Sequence, residues 1–328
     1  MSNQANGGRC VRALQASRPN QEVFAETVLE AARRDPSVLV VTSDSRGSAR
    51  LGEFAGELPE RIVELGIAEQ NLVGVAAGLA AGGNTVFAVS PACFLTTRSL
   101  EQIKNDIAYS DHKVVLVGIS AGVSYGALGS THHSLNDFAS LRALNNLDIV
   151  VPADNRQTRQ AVLAALDHPR PLYLRFGKRP VPDLPAGAGA FSIGRAECIA
   201  EGADAALVAT GETVWRAMAA RSALADEGIS CRVLCMHSIR PFDGAAILEA
   251  ARSARAVACI EEHSVHGGLG EQCAALLMQE GVRVPYRIMG IPDEYTVTGS
   301  QEEILSHYGI SPSGIAAEMR RLLAAGRQ

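Results

Sequence analysis

Nowhere in the 328 residues do eighteen apolar residues run uninterrupted, and the stretch Leu72 to Ala81 is too short to span a bilayer. The first eighteen residues, MSNQANGGRCVRALQASR, are polar and have no apolar signal-peptide core. A basic surplus is missing as well. Lys+Arg number 30 against 35 Asp+Glu, net −5, which argues against a phosphate backbone as partner. Charged residues at 20% beside 47% hydrophobic ones exclude a disordered or fibrous chain. The seven cysteines are odd in number and scattered, which suits buried free thiols in a reducing compartment better than a disulfide framework. Cys231 and Cys235 lack a second pair to complete a zinc site and read as strand residues. There is no Walker A sequence, no G-x-G-x-x-G after a strand and no G-x-S-x-G elbow. These absences predict a soluble cytoplasmic protein with neither a nucleic-acid nor a membrane partner.

What is present is an alternation. Apolar, β-branched runs at Ser37–Val41, Thr85–Val89, Lys113–Ile119, Asp148–Val151 and Pro171–Phe176 read as buried strands. Helical patterns lie between them, at Gln21–Arg34, Ala68–Ala81, Ser99–Ser110, Ser134–Ala143 and Arg156–Leu166. The Pro/Gly/Ala-rich VPDLPAGAGAF interrupts the pattern, and the alternation then resumes to the end of the chain. Ser300 with Glu303 has capping-box spacing, and Ser311 precedes Pro312 at a first helical position. The fold class predicted is α/β, with two doubly wound domains in series. Residues 1–18 are expected to be a flexible segment, 19–180 the first domain, 181–194 a linker and 195–328 the second domain.

Three segments could carry chemistry. In RIVELGIAEQNLVGVAAGLAAGG, Glu69 falls in the first turn of an Ala/Gly-rich helix, whose start steadies an anion. Spacing alone leaves it either a capping carboxylate or an acid held at an interface. Gly74 and Gly78, one turn apart, would let another helix approach closely. In GALGSTHHSLNDF, His132 and His133 precede a helix start at Ser134 with Asp137 at its third position. Imidazole near neutrality suits sugar hydroxyls, though one ring could equally cap and the other be solvated. His263 and His266 form H-x-x-H in a Gly-rich loop and read as loop structure rather than a metal site. In LRFGKRP, Arg175, Lys178 and Arg179 follow a strand end, where ligands collect in parallel sheets. Arg175 could fork onto a phosphate, while a solvated cationic loop suits Lys178 and Arg179.

Taken together, GIAEQN, SPACFLTTRSLEQIKND, GSTHHSLNDFASLRALNNLDIVVPAD, LYLRFGKRP, ATGETVWRAMAA, HSIRPFD and IEEHSVHGGLGE resemble, in order and approximate spacing, the C-terminal half of a transketolase. The resemblance covers roughly residues 20 to 325. It implies a pyrimidine-binding domain followed by a transketolase C-terminal domain, and thiamine diphosphate with Mg²⁺ as cofactors. It also implies transfer of a two-carbon ketol unit from a ketose donor to an aldose acceptor. Glu69 takes the role of the acid at the aminopyrimidine N1′, in a setting expected to be apolar enough to keep its carboxyl partly protonated. Ile67 and Phe94 fall to the cofactor's ring. His132 falls to the donor's hydroxyls, Asp44 and Ser48 to the donor and phosphate side, and Arg175 to the substrate's phosphate.

Two departures from the family pattern bear on specificity. Leu128 stands where sugar-phosphate transketolases carry an Asp, and Ser120 with Ala121 where relatives carry His or Arg. Thr97 and Leu100 replace further aromatics. The family's GDG motif and its downstream Asn, which hold diphosphate and metal, do not occur in this chain. The resemblance therefore implies one subunit of a split transketolase. Its N-terminal partner would carry the GDG and Asn ligands, in an α2β2 heterotetramer. Two other readings stand beside it, the E1 β subunit of a 2-oxo acid dehydrogenase and a catalytically silent scaffold that keeps the fold.

Overall fold

The computed structural model describes residues 16–187 and 190–325. Fourteen strands occur among them. The first eight are β1 (Ala16–Pro19), β2 (Val38–Thr42), β3 (Ile62–Glu64), β4 (Thr85–Pro91), β5 (Val114–Ile119), β6 (Asp148–Val150), β7 (Leu172–Arg175) and β8 (Pro180–Pro182). Then follow β9 (Glu197–Ala200), β10 (Ala205–Ala209), β11 (Cys231–Cys235), β12 (Ser238–Arg240), β13 (Val257–Ser264) and β14 (Tyr286–Ile291).

Every residue of β5, VVLVGI, is buried, as a strand covered by helices on both faces requires. It lies inside a seven-stranded sheet of order β12-β6-β7-β5-β4-β2-β3, parallel except for β12. The second sheet runs β14-β13-β10-β11-β9 and is parallel except for β9. Two α/β units in series are thus present, and Cys231 and Cys235 bracket a strand as expected. Among the described residues every cysteine is free; Cys10 lies outside them. No described helix is long and apolar enough to cross a membrane.

Three expectations need correction, and one feature of the series arrangement goes beyond them. Residues 16–18 are not part of a free N-terminal segment, because Ala16–Pro19 pairs antiparallel with Pro180–Pro182, at the edge of the supposed linker; residues 1–15 lie outside the described part. The helix expected over Ser99–Ser110 is a turn at Leu100–Gln102 followed by a π-helical stretch, Ile103–Tyr109. The helix expected from Ser134 begins at Asp137, because Ser134 exchanges both backbone hydrogen bonds with Gly122 at 2.8 and 3.2 Å. In addition, the second unit donates β12 to the first unit's sheet, with Ser238 opposite Val150, so the two domains in series also interlock.

Their seam is polar. Arg175, at the end of β7, donates from Nε to Asp137 Oδ2 at 2.7 Å and from Nη2 to the carbonyls of Ser134 and Glu262 at 3.2 and 2.9 Å. The Glu262 carboxylate accepts from Val123 N at 2.8 Å and from Gln301. It sits so close to Gly122, whose φ is +64°, that a Cβ there would come within 2.4 Å. A third carboxyl, Glu212, covers Gly177 in the same way, and a Cβ on that glycine would lie 2.1 Å from it.

Burial, reinforced by Glu262, pushes Glu212 up to about 8, and its Oε1 has no hydrogen-bond partner. A carboxyl raised in the folded state stabilises fully below its unfolded value of 4.5 and loses that contribution as pH rises through about 8. Glu212→Gln should therefore match wild type under acid conditions and become the more stable protein as pH rises. The gap should widen by up to about 1.4 kcal/mol per pH unit and level off once the folded-state carboxyl ionises. Urea denaturation of both proteins across that range checks it; a gap that does not change with pH refutes it.

Candidate active site

The chain has its ligand-competent edge where the parallel strands of the first sheet end. Strand β3 stops at Glu64, whose carboxylate accepts from Asp44 N at 2.6 Å and from Gly66 N at 3.1 Å, tying the ends of β2 and β3 together. Gly66 adopts φ +66° and turns the chain, Ile67 stands 75% exposed, and the helix Glu69–Ala81 begins. No side chain caps that helix. Its first residue, Glu69, is buried at 2% exposure.

Arg98 Nη1 donates to Glu69 Oε2 at 2.6 Å, although the arginine side chain is itself half-exposed. The same guanidinium lies 4.9 Å above the Phe94 ring. The contact with Phe94 follows from helical spacing, since residues four apart on Ala92–Arg98 share a face, whereas the bond to Glu69 crosses to another helix. Phe94 meets His132 edge-on at 5.4 Å, His132 meets Tyr125 edge-on at 5.5 Å, and Lys178 Nζ lies 5.0 Å over Tyr125. A continuous row thus runs from Glu69 through Arg98, Phe94, His132 and Tyr125 to Lys178. Thr131 Oγ1 engages His132 Nδ1 at 2.9 Å.

Beside the row opens a cavity of about 600 Å³, lined among others by Cys93, Phe94, Thr97, Arg98, Thr131 and Asn136. Burial pushes the Cys93 thiol up to about 11, so it is a thiol rather than a nucleophilic thiolate near neutrality. Desolvation lowers His133, which bonds Thr296 Oγ1 through Nδ1 at 2.7 Å and the Gly126 carbonyl through Nε2 at 3.0 Å.

Of the residues expected at the site, Glu69, Phe94 and His132 come together in one row, and Ile67 stands at the turn that enters the Glu69 helix. Asp44 and Ser48 are exposed in the loop after β2 and do not line the cavity. Arg175 does not reach it either. That guanidinium is 6% exposed and enclosed by Asp137, Ser134, Glu262 and the Phe138 ring, 4.6 Å away. Burial alone would lower it, but Asp137, Tyr173 and Glu262 outweigh that and hold it above its ordinary range. Its expected role on a phosphate is therefore corrected to a structural one, and Lys178 is the cation from that segment that stands at the row. The floor of the site is not apolar as expected either, because Arg98 lies on Glu69. Arg98 was within reach of sequence reading through its spacing from Phe94; Tyr125 carried no local signal. Leu128 is exposed, whereas Ser120 and Ala121 are buried. Among the described residues no group of three His, Cys, Asp or Glu converges as metal ligands would. His263 instead stacks on Phe138 at 4.7 Å.

Comparison with known proteins gives matches over both units. Residues 17–183 match the family described as Transketolase, pyrimidine binding domain, and residues 194–315 match Transketolase, C-terminal domain. A subunit of the apulose-4-phosphate transketolase of Phocaeicola vulgatus is 48% identical over 89% of this chain and 93% of its own length. A subunit of the 6-deoxy-6-sulfo-D-fructose transketolase of a Clostridium species is 32% identical over 90% of this chain and 91% of its own. A solved structure described as a split gene transketolase, inactive beta4 tetramer, is 35% identical with a TM-score of 0.83, covering 93% of this chain and 98% of that one.

The contact between Glu69 and Arg98 generates a stability test. Arg98→Ala leaves a buried carboxylate without its cation and should cost about 1–3 kcal/mol. Adding Glu69→Gln should recover most of that loss. A loss under about 0.5 kcal/mol in urea denaturation would mean the pair behaves as an ordinary surface contact.

Proposed function

The chain belongs to the transketolase family, and we propose that it is the C-terminal, β-type subunit of a split, thiamine-diphosphate-dependent transketolase. Such an enzyme moves a two-carbon ketol unit from a ketose phosphate or similar donor to an aldose acceptor. The observation that carries this reading is the buried Glu69 carboxylate at a helix start, joined through Arg98 and Phe94 to His132 beside the cavity.

These residues fit the pyrimidine half of the cofactor. A buried carboxylate suits a ring nitrogen that exchanges a proton, and an aromatic face beside it suits a flat heterocycle. The cofactor, when bound, supplies the electron sink for the two-carbon fragment. Glu69 would hold the proton at ring N1′. Because Arg98 engages Oε2, the guanidinium must turn aside or leave that contact to Oε1. Phe94 and Ile67 would pack on the ring and exclude water from it. His132, with Thr131 on Nδ1, has Nε2 left to exchange hydrogen bonds with donor hydroxyls. Lys178 takes the anionic end, and Asp44 and Ser48, outside the cavity, would contact a donor only where it extends past the loop after β2.

Diphosphate and Mg²⁺ ligands are assigned to the partner chain, in an α2β2 assembly. Two things support that. One relative is named as a subunit of its transketolase, and another as a split gene transketolase. The helix Glu69–Ala81 is also apolar on nearly every side, with Gly74, Val75, Gly78 and Leu79 not fully buried and open space beside both glycines. An apolar face of this kind is one that another chain covers.

Two measurements test the assignment. Co-expressed with the chain that co-purifies with it, the protein should show ketol transfer that depends on thiamine diphosphate and Mg²⁺, and Glu69→Gln should lower kcat about 10²–10⁴-fold. Near wild-type turnover in that variant removes Glu69 from the chemistry and favours a silent scaffold. Turnover only with a 2-oxo acid and a lipoyl acceptor favours the dehydrogenase reading. Gly78→Arg should leave the isolated chain folded, or up to about 1 kcal/mol more stable because a helical glycine is lost. In size-exclusion chromatography the same variant should fail to join its partner; normal assembly would place the interface elsewhere.

A further inference from the structure

We propose that the second domain supplies one wall of the substrate cavity, in which Glu294 and Tyr295 recognise the neutral, polyhydroxylated part of the acceptor. The proposal rests on the ketol-transfer reading and adds to it a residue pair and a substrate class.

The loop between β14 and the helix Gln301–His307 crosses onto the Gly-rich loop that carries His132 and His133. Its docking is fixed at Thr296 and Gly299, and a bond from Val297 braces it within its own domain. Thr296, 9% exposed, bonds His133 Nδ1 at 2.7 Å and Ser130 Oγ at 2.9 Å, and its backbone N–H donates to Ser130 Oγ at 3.1 Å. Val297 N donates to the Tyr308 hydroxyl at 3.1 Å. Gly126, at φ +52°, packs so closely on the Gly299 carbonyl that a Cβ would lie 2.8 Å from it.

A loop held this firmly has no structural need to display a large aromatic, yet the residues just before Thr296 do so. Tyr295 is 92% exposed, and Glu294 and Tyr295 both line the cavity together with Phe94, Thr97, Arg98 and Asn136. A carboxylate can accept from two vicinal hydroxyls, and a phenol ring packs on the C–H face of a carbohydrate chain. Ser130, Thr131, Thr97 and Asn136 add neutral donors and acceptors around the same space.

Charge sets the orientation. Glu294 repels an anion, whereas the cations of the row, Arg98 and Lys178, belong to the first domain. A phosphate or sulfonate therefore lies toward Lys178, and the hydroxylated carbons lie along Glu294 and Tyr295.

The test uses the chain assembled with its co-purifying partner, hydroxypyruvate as donor, and neutral aldehydes of increasing length: glycolaldehyde, D-glyceraldehyde, D-erythrose and D-ribose. Tyr295→Ala and Glu294→Gln should each raise KM for erythrose and ribose about tenfold or more, with kcat little changed. Glycolaldehyde, too short to span the cavity, should be turned over as by wild type. Glu294→Lys should shift preference toward phosphorylated acceptors. Equal effects on every acceptor, or none, overturn the proposal. If the wild-type assembly transfers no ketol unit to any aldehyde, the functional reading fails first. The wall is then read by saturation-transfer NMR with D-erythrose on the intact chain, where loss of signal in Tyr295→Ala supports it and an unchanged signal overturns it.

Discussion

The guanidinium of Arg175 holds the two domains in one arrangement. It is buried, and it closes a circuit between the helix that starts at Asp137, the carbonyl of Ser134 and the carbonyl of Glu262 in the second domain. A buried cation is tolerable when its charge is paired, and here one carboxylate and two carbonyls take three of the five N–H donors. Around it the second domain is stitched to the first. Ser264 N donates to the Leu135 carbonyl at 2.9 Å, and Arg142 donates to the carbonyls of Gly267 and Gly268. The small residues at this seam follow from the same constraint, since Gly122 and Gly177 lie where a Cβ would enter the carboxyls of Glu262 and Glu212.

That seam is what makes a site possible at the strand ends. The loop from Gly122 to Ser134 is held by the reciprocal backbone bonds between those two residues and by Thr296 on His133. His132 rides on this loop, so its approach to Phe94 is set by contacts made in the second domain rather than by the first domain alone. The row from Glu69 to Lys178 is therefore a tertiary product of two domains, although all its members come from the first.

Local physics was enough for some elements. The run VVLVGI could only be a doubly covered strand, and Ser300 with Glu303 forms the capping box their spacing predicts. Glu69 was placed at a helix start by the Gly66 turn and the Ala/Gly run after it. Elsewhere the deciding partner was remote. Nothing within Ser134–Ala143 announces that Asp137 is bound by Tyr173 and by an arginine thirty-eight positions away. Arg175 looked like a free cation for the same reason. The three-residue strand Ser238–Arg240 is too short to show a period, so its crossing to the first sheet was invisible. Arg98 is a different case, because its spacing from Phe94 was available and only its target, Glu69, lay elsewhere in the chain.

An acid, an aromatic ring and an imidazole in one row are poorly served by an isolated chain. On the proposed reading Glu69 would act on a ring nitrogen screened from water, yet the surface beside it keeps Ile67 and the glycine-lined flank of its own helix uncovered. In the chain by itself Arg98 satisfies the carboxylate, but the same guanidinium then lies over the ring that a cofactor would use. Both features resolve together once another surface covers the helix and a flat ligand takes the place above Phe94. On the proposed reading, assembly and cofactor capture would be one physical event. The loop that bears Glu294 and Tyr295 is anchored independently of that event, through Thr296 on His133 and Ser130.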